Sequence, residues 1–273
     1  MFATPEAPDA LTRLAKGGVP AFRTPESCAD AAAAALRRKA PAPWRELAPP
    51  AAGATTFLDE AAAYARLAPL GVEAAPFVVA SVGGEPPKGL AYPVAAKVLS
   101  AELPHKTDAG GVLLGVADEA ALHVAFAEVA ANVARAKPGL KLDRVLVQTM
   151  AKGLGEVLVG FRRDPDAGPI VMLAPGGVLA ELAGERALRL APVTEGEAEA
   201  MIAELPSLKA LAGYRGRPRG DLPALAATVA ALSQLALQPE VIEAEINPMI
   251  VRKEGEGVVA VDALVRVVEE AKG

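Results

Sequence analysis

The chain carries one cysteine, Cys28, and two histidines, His105 and His123. A single cysteine excludes an intrachain disulfide framework and a multi-cysteine metal centre. Cys28 sits among alanines and is expected to be a small buried apolar residue. Aromatics are only 4% and much of the 52% hydrophobic content is alanine, so a core is possible but each residue brings little apolar area to it. No uncharged apolar run is long enough to span a bilayer. The N-terminus lacks the basic-then-apolar pattern of a signal peptide. A soluble cytoplasmic protein with no membrane partner is the expectation. The net charge of −5 argues against a general nucleic-acid binder, which needs a basic face for phosphates.

What is present divides the chain. Residues 1–53 read as an appendage: a short helix over Ala7–Lys16, a turn and short strand at 17–22, then a helix opened by Thr24-Pro25-Glu26. The prolines at 41, 43, 49 and 50 make the rest a semi-rigid linker. Residues 54–273 read as one α+β domain with lobes at about 54–147 and 148–273. Its expected elements are a helix starting within Thr56–Glu60, a bent strand at 72–79, a strand at 92–99 and a helix over Asp118–Ala136. Strands at 144–150, 156–162 and 169–173 follow, the last two joined by a hairpin across Asp164–Gly168. Helices are expected at 195–205 and 222–237, then a hairpin of 241–251 with 258–262, then a terminal helix.

Two stretches carry chemistry. In the first, Lys97 lies inside the apolar strand Tyr92–Leu99, and Pro104-His105-Lys106-Thr107-Asp108 and Gly110-Gly111 follow. A charge on a strand, a titratable ring and flexible backbone together suggest a phosphate site. In the second, alternation puts Glu243, Glu245 and Asn247 on one strand face, with Asp262 on the returning strand. Carboxylates plus an amide oxygen suit Mg²⁺. The same spacing fits a solvent-facing acidic strand equally well. His123 falls on the long helix and receives no role.

The ordered set Tyr92–Ser100, Pro104–Asp108, Gly110–Val112, Gly155–Gly160, Arg163–Pro165, Gly168-Pro169, Arg189–Pro192, Glu245–Pro248 and Val261–Ala263 resembles the ATP-grasp portion of the ADP-forming acyl-CoA synthetases. The resemblance implies an ATP-grasp fold, two α+β lobes gripping ATP. Lys97 would contact the nucleotide phosphates. Asn247 and Asp262, with Glu245, would hold Mg²⁺. His105 would be the catalytic histidine that carries a phosphoryl group to ADP, on a loop whose glycines give freedom of movement. Gln148, Thr149 and Met150 would lie at the hinge that meets adenine, and Glu156, Gly176 and Gly177 would complete the nucleotide site. Thr149 stands where the family often has glutamate, and Pro175 removes one N–H donor from the phosphate turn. Glu181 and Arg189 would line the site or pair with neighbours.

Gly18–Phe22 and Thr24–Glu26 resemble the end of the CoA-ligase region of fused synthetases. The chain therefore reads as a fragment or subunit whose partner is a CoA-binding domain or subunit. A second reading is the nucleotide-sensing module of a protein lysine acyltransferase, and a third is a binding protein without catalysis. The basic loop Arg215/Arg217/Arg219 is a solvated loop or a docking point for the CoA-binding part.

Overall fold

The computed structural model describes residues 7–38, 46–177, 184–213 and 216–269. The prolines at 41 and 43, Glu181, Arg215 and residues 270–273 lie outside them. The chain forms two units, Met1–Glu46 and Leu47–Gly273.

In the first unit, α1 spans Pro8–Lys16 and α2 spans Pro25–Arg37. The Thr24 hydroxyl accepts from the Ser27 N–H at 3.2 Å, and Pro25 takes the first helical position, where its missing donor costs nothing. Neither helix buries a residue. Cys28 is partly exposed, contrary to expectation, because α2 has no core to enter.

The second unit holds two sheets, and every strand pair described in them is antiparallel. The small sheet orders β2 (Phe77–Ser81), β5 (Arg144–Thr149), β3 (Val94–Val98) and β4 (Val112–Val116). The large sheet orders β1 (Thr55–Phe57), β11 (Ala263–Val268), β9 (Val241–Val251), β6 (Gly155–Asp164), β7 (Gly168–Pro175) and β8 (Ala187–Leu190). β10 (Val258–Ala260) pairs with β9 beside this path.

Helices cover these sheets by the period of their apolar residues. In α4 (Glu119–Ala136), Leu122, Ala125, Phe126, Val129 and Val133 form one buried stripe. That stripe packs on Val94, Ala96, Val145 and Val147 of the small sheet, and on Val98. Asp118 caps α4 by accepting from the Ala121 N–H at 2.8 Å. On the large sheet, Val157, Val159 and Phe161 of β6 and Val171 and Leu173 of β7 share a core with α5 (Glu195–Ala203) and α6 (Leu222–Ser233).

The short helix α3 (Glu60–Leu67) joins the two sheets. Its Ala63, Tyr64 and Leu67 share a core with Leu99 and Leu146, the residues of the β3–β5 side that face away from α4. β3 is thus covered on both faces, which explains its unbroken apolar run around Lys97.

Five strands differ from the sequence reading. Thr55–Phe57 is strand β1, paired with β11, while the helix begins at Glu60, within the expected start, after Asp59, whose carboxylate accepts from the Ala62 N–H at 2.9 Å. The expected bent strand at 72–79 becomes β2 at 77–81. Strands β4 and β8 arise where none was expected. The expected terminal helix is instead β11, a β-branched run that fills the gap between β9 and β1.

Candidate functional site

Alternation along β3 sends Lys97 away from α4, into the layer between the small sheet and α3. There its ammonium donates to Glu60 Oε1 at 2.8 Å, to Gln148 Oε1 at 2.7 Å and to the Val261 carbonyl. Lys106 enters the same layer from the following loop. Its Nζ lies 2.9 Å from Glu60 Oε2 and 2.8 Å from Asp262 Oδ1. Tyr64, one turn along α3 from Glu60, donates its hydroxyl to Glu60 Oε1 at 2.8 Å. Gln148 closes the set by donating to the Tyr64 hydroxyl and the Ala75 carbonyl, both at 3.2 Å.

Two cations and two anions therefore balance in one buried cluster. Glu60, Lys97 and Lys106 are 3%, 4% and 7% exposed, so each charge depends on the others for its solvation. Burial alone would raise the Glu60 carboxyl, but Lys97 and Lys106 outweigh it and hold the group below the usual glutamate range. Burial alone would lower Lys106, but Glu60 and Asp262 hold it above its usual value. Burial and the nearby Glu60 charge push Asp262 up despite both lysines. Burial, then Glu60, raises the Tyr64 phenol far enough that it stays a hydrogen-bond donor.

His105 is exposed, one residue before the buried Lys106. The turn after it is closed by Gly110 N–H to the Thr107 carbonyl at 3.0 Å and Gly111 N–H to the Lys106 carbonyl at 2.9 Å. Asn132 of α4 donates to the Gly110 carbonyl at 2.9 Å. A side chain at Gly111 would put its Cβ 2.6 Å from Val98 Cγ1. Gly111 is therefore needed for close packing and Gly110 for its φ of +63°. In this conformation the two glycines allow a tight turn.

The acidic strand has the expected face. Glu245 and Asn247 lie on one side of β9, and the Asn247 side-chain N–H donates to Glu245 Oε1 at 3.2 Å. The Asn247 backbone N–H donates to the Asp262 carbonyl at 3.2 Å, which sets Asp262 beside them. Glu243 pairs instead with Arg266 at 3.1 Å. Among the described residues, no three His, Cys, Asp or Glu side chains form a metal cluster. The Asn247 amide oxygen could add a third protein donor to the Glu245 and Asp262 carboxylates. The donors are all hard oxygens, and the Asp262 side chain is 33% exposed, so the set fits a partly hydrated Mg²⁺.

The hinge residues are more committed than the sequence suggests. Gln148 turns its side chain into the charge cluster. The Thr149 N–H bonds the Pro76 carbonyl at 2.9 Å and the Met150 N–H bonds the Pro93 carbonyl at 3.1 Å. The Met150 sulfur accepts from the Gly115 N–H at 3.1 Å. On the large sheet, the Gly176 N–H bonds the Glu156 carbonyl at 2.7 Å, leaving Gly177 as the exposed glycine of that turn. Arg189 pairs with Glu204, a neighbour. His123 is exposed on α4, distant in sequence from every group of the cluster.

Sequence reasoning missed Glu60 and Tyr64 and gave Lys106 no role. The available signal was the i, i+4 spacing of Glu60 and Tyr64 on one helix face. Asp59, the neighbour of Glu60 and of similar chemistry, caps the helix instead.

Two antiparallel α+β parts that meet at a lysine-bearing strand and an acidic hairpin define the class. Residues 51–267 match the family model described as an ATP-grasp domain, and the chain belongs to that family. Its relatives include ADP-forming acid–CoA ligases. Acetate–CoA ligase [ADP-forming] I of Archaeoglobus fulgidus is 39% identical over 193 residues, covering 69% of this chain and 28% of its own length. The β subunit of acetate–CoA ligase [ADP-forming] I of Pyrococcus furiosus is 36% identical over 175 residues, covering 64% of this chain and 75% of that subunit. A solved structure of the dinucleotide-forming acetyl-coenzyme A synthetase 1 of Ca. Korarchaeum cryptofilum, in complex with coenzyme A and Mg-AMPPCP, aligns with a TM-score of 0.64 at 29% identity. It covers 78% of this chain and 93% of that one. This chain spans 24–28% of the length of the first ligases it matches. Among the described residues, no helix is long and apolar enough to cross a membrane.

Proposed function

We propose that this chain is the nucleotide-handling part of an NDP-forming acyl-CoA synthetase, acting with a CoA-binding domain or subunit. The whole reaction is acid + CoA + ATP giving acyl-CoA + ADP + phosphate. The observation that carries this reading is the adjacency of His105 to Lys106: an exposed imidazole sits one residue from an ammonium that touches Asp262. A nucleophilic ring is thereby tied to the oxygen donors that suit a phosphate-bound cation.

In this reading the His105 ring nitrogen attacks the γ-phosphorus of ATP, and the bond to the β–γ bridging oxygen breaks, releasing ADP. The reverse transfer regenerates ATP from phosphohistidine and ADP. A neutral imidazole can do this near neutral pH. Glu245, Asn247 and Asp262 would hold Mg²⁺, which would supply charge neutralisation on the phosphate oxygens. Lys97 reaches a phosphate oxygen by giving up one of its three acceptors: Glu60, Gln148 or the Val261 carbonyl. Gln148, Thr149, Met150, Glu156, Gly176 and Gly177 flank the nucleotide. With both hinge N–H groups committed to proline carbonyls, the base meets carbonyl oxygens and side chains there. No observation favours the acyltransferase-sensor reading.

The test is incubation with γ-labelled ATP and Mg²⁺. Acid-labile label on His105 is expected, and His105→Ala should lose both the label and ATP–ADP exchange while still binding nucleotide. Label persisting in His105→Ala, or no label on the native chain even with a CoA-binding partner present, overturns the reading.

A further inference from the structure

We propose that Lys106 is the positioning residue for His105 and that its hold is exchangeable, because it shares Asp262 with the divalent cation. The inference rests on the reading of His105 and of the Glu245/Asn247/Asp262 set given above.

The geometry is specific. The loop after β3 reaches the buried layer through the Lys106 side chain, whose ammonium bridges Glu60 Oε2 at 2.9 Å and Asp262 Oδ1 at 2.8 Å. Those two carboxylates differ in kind. Glu60 is wholly buried and also held by Lys97 and Tyr64. Asp262 is one-third exposed and stands beside Glu245 and Asn247. Glu60 is therefore the permanent anchor and Asp262 the exchangeable one. With Asp262 paired to Lys106, His105 is held by a two-point contact one residue away. When a cation draws the Asp262 oxygens, the ammonium keeps only Glu60, and the His105 segment loses one of the two buried contacts made by Lys106. The same competition works in reverse: the ammonium beside Asp262 weakens cation binding there.

The consequence is an opposition that a merely structural lysine would not produce. Removing the charge with Lys106→Met should loosen the His105 segment and at the same time tighten the cation site. Local unfolding would weaken both. The probe is Mn²⁺ without nucleotide, followed by electron paramagnetic resonance for affinity and by amide hydrogen exchange over residues 100–111 for loop opening.

In the native chain, saturating Mn²⁺ should speed exchange of that segment by about tenfold. In Lys106→Met the segment should exchange fast from the start, Mn²⁺ should add nothing, and Mn²⁺ should bind about tenfold more tightly. Asp262→Asn should abolish the Mn²⁺ response of the segment. The inference is overturned by any of three results: equal or weaker Mn²⁺ binding in Lys106→Met, unchanged exchange in the native chain with Mn²⁺, or a response that survives in Asp262→Asn. The native arm needs no variant to fold. Neither readout uses ATP or phosphohistidine, so a chain that never labels His105 is still judged on this point.

Discussion

Two turns in this molecule are each held by one buried charged side chain, and the partners of that side chain differ. The turn after His105 is held by Lys106, whose partners are the carboxylates of Glu60 and Asp262. The turn joining β9 and β10 is held by Asp221 at the start of α6. Its Oδ2 accepts from the Gly255 and Gly257 N–H groups, both at 2.9 Å, while Oδ1 caps the helix by accepting from the Ala224 N–H at 3.1 Å. Burial alone would raise the Asp221 carboxyl, but these three N–H groups and Arg252 hold it below the usual aspartate range. Backbone N–H groups cannot leave for another ligand. A carboxylate can. The Asp221 turn thus keeps all its contacts whatever binds nearby, whereas the Lys106 turn keeps Glu60 but can lose Asp262 to another ligand.

The largest effect should come from the group on which the exchangeable turn depends. Glu60→Gln keeps the shape but leaves Lys97 and Lys106 facing a neutral amide in a dry layer. Breaking a buried pair from one side costs about 3–5 kcal/mol, so the unfolding free energy measured by urea titration should fall by an amount of that order, with a matching drop in the midpoint. A loss under about 1 kcal/mol, the size of a surface pair, would show that Glu60 does not hold the two lysines together.

Next is the permanent turn. Asp221→Asn keeps the oxygen that caps α6 but points an N–H₂ group at the N–H groups of Gly255 and Gly257. Two donors lose their acceptor, for a loss of about 1–3 kcal/mol. The amides of 253–257 should exchange faster while labelling of His105 by ATP stays unchanged. The two chains should also converge in acid. A carboxyl held below its ordinary value contributes stability above that value, about pH 4, and loses it as pH falls through its lower folded value. The native chain should therefore lose its advantage over Asp221→Asn between about pH 4 and pH 2. The lowered Glu60 carboxyl weakens both chains in the same direction, and the raised Asp262 carboxyl offsets part of that in both. A gap that stays constant down to pH 2 would mean that the charge on Asp221 does not hold the turn.

The permanent features were easier to read in the sequence than the exchangeable ones. The Thr24 and Asp118 caps, the β6–β7 hairpin across Asp164–Gly168 and the alternation of Glu245 and Asn247 all follow from local rules of period and capping. So did the family resemblance, which rests on short ordered strings. What local rules could not supply is which charges are buried. Asp59 and Glu60 are neighbours of similar chemistry, yet one caps α3 and the other is the anchor of two lysines brought from 37 and 46 residues away. Lys106 is next to His105 in the sequence but looks like any loop lysine until the fold brings Asp262 to it. β11 itself was misread, because a β-branched run at a chain end shows its state only through the strands on either side. The glycines at 110 and 111 show the same limit: flexibility and tight packing both call for glycine, and the close approach of Gly111 to Val98, 13 residues earlier, becomes visible only in the fold.

The smallest effect sharpens the comparison from the other side, through the second histidine. His123 lies on the exposed face of α4, where the buried stripe is carried by its neighbours Leu122, Ala125 and Phe126. It has the same nucleophilic ring as His105 and is likewise exposed, so reactivity alone would make it an equal acceptor of phosphate. What it lacks is a neighbour tied to the acidic set. If placement beside Lys106 selects the histidine, His123→Ala should change stability by less than about 0.5 kcal/mol and leave the acid-labile label at its native level. A drop in label on His123→Ala, measured by peptide mapping after brief exposure to γ-labelled ATP, would mean that an exposed imidazole is sufficient and that the anchored turn selects nothing.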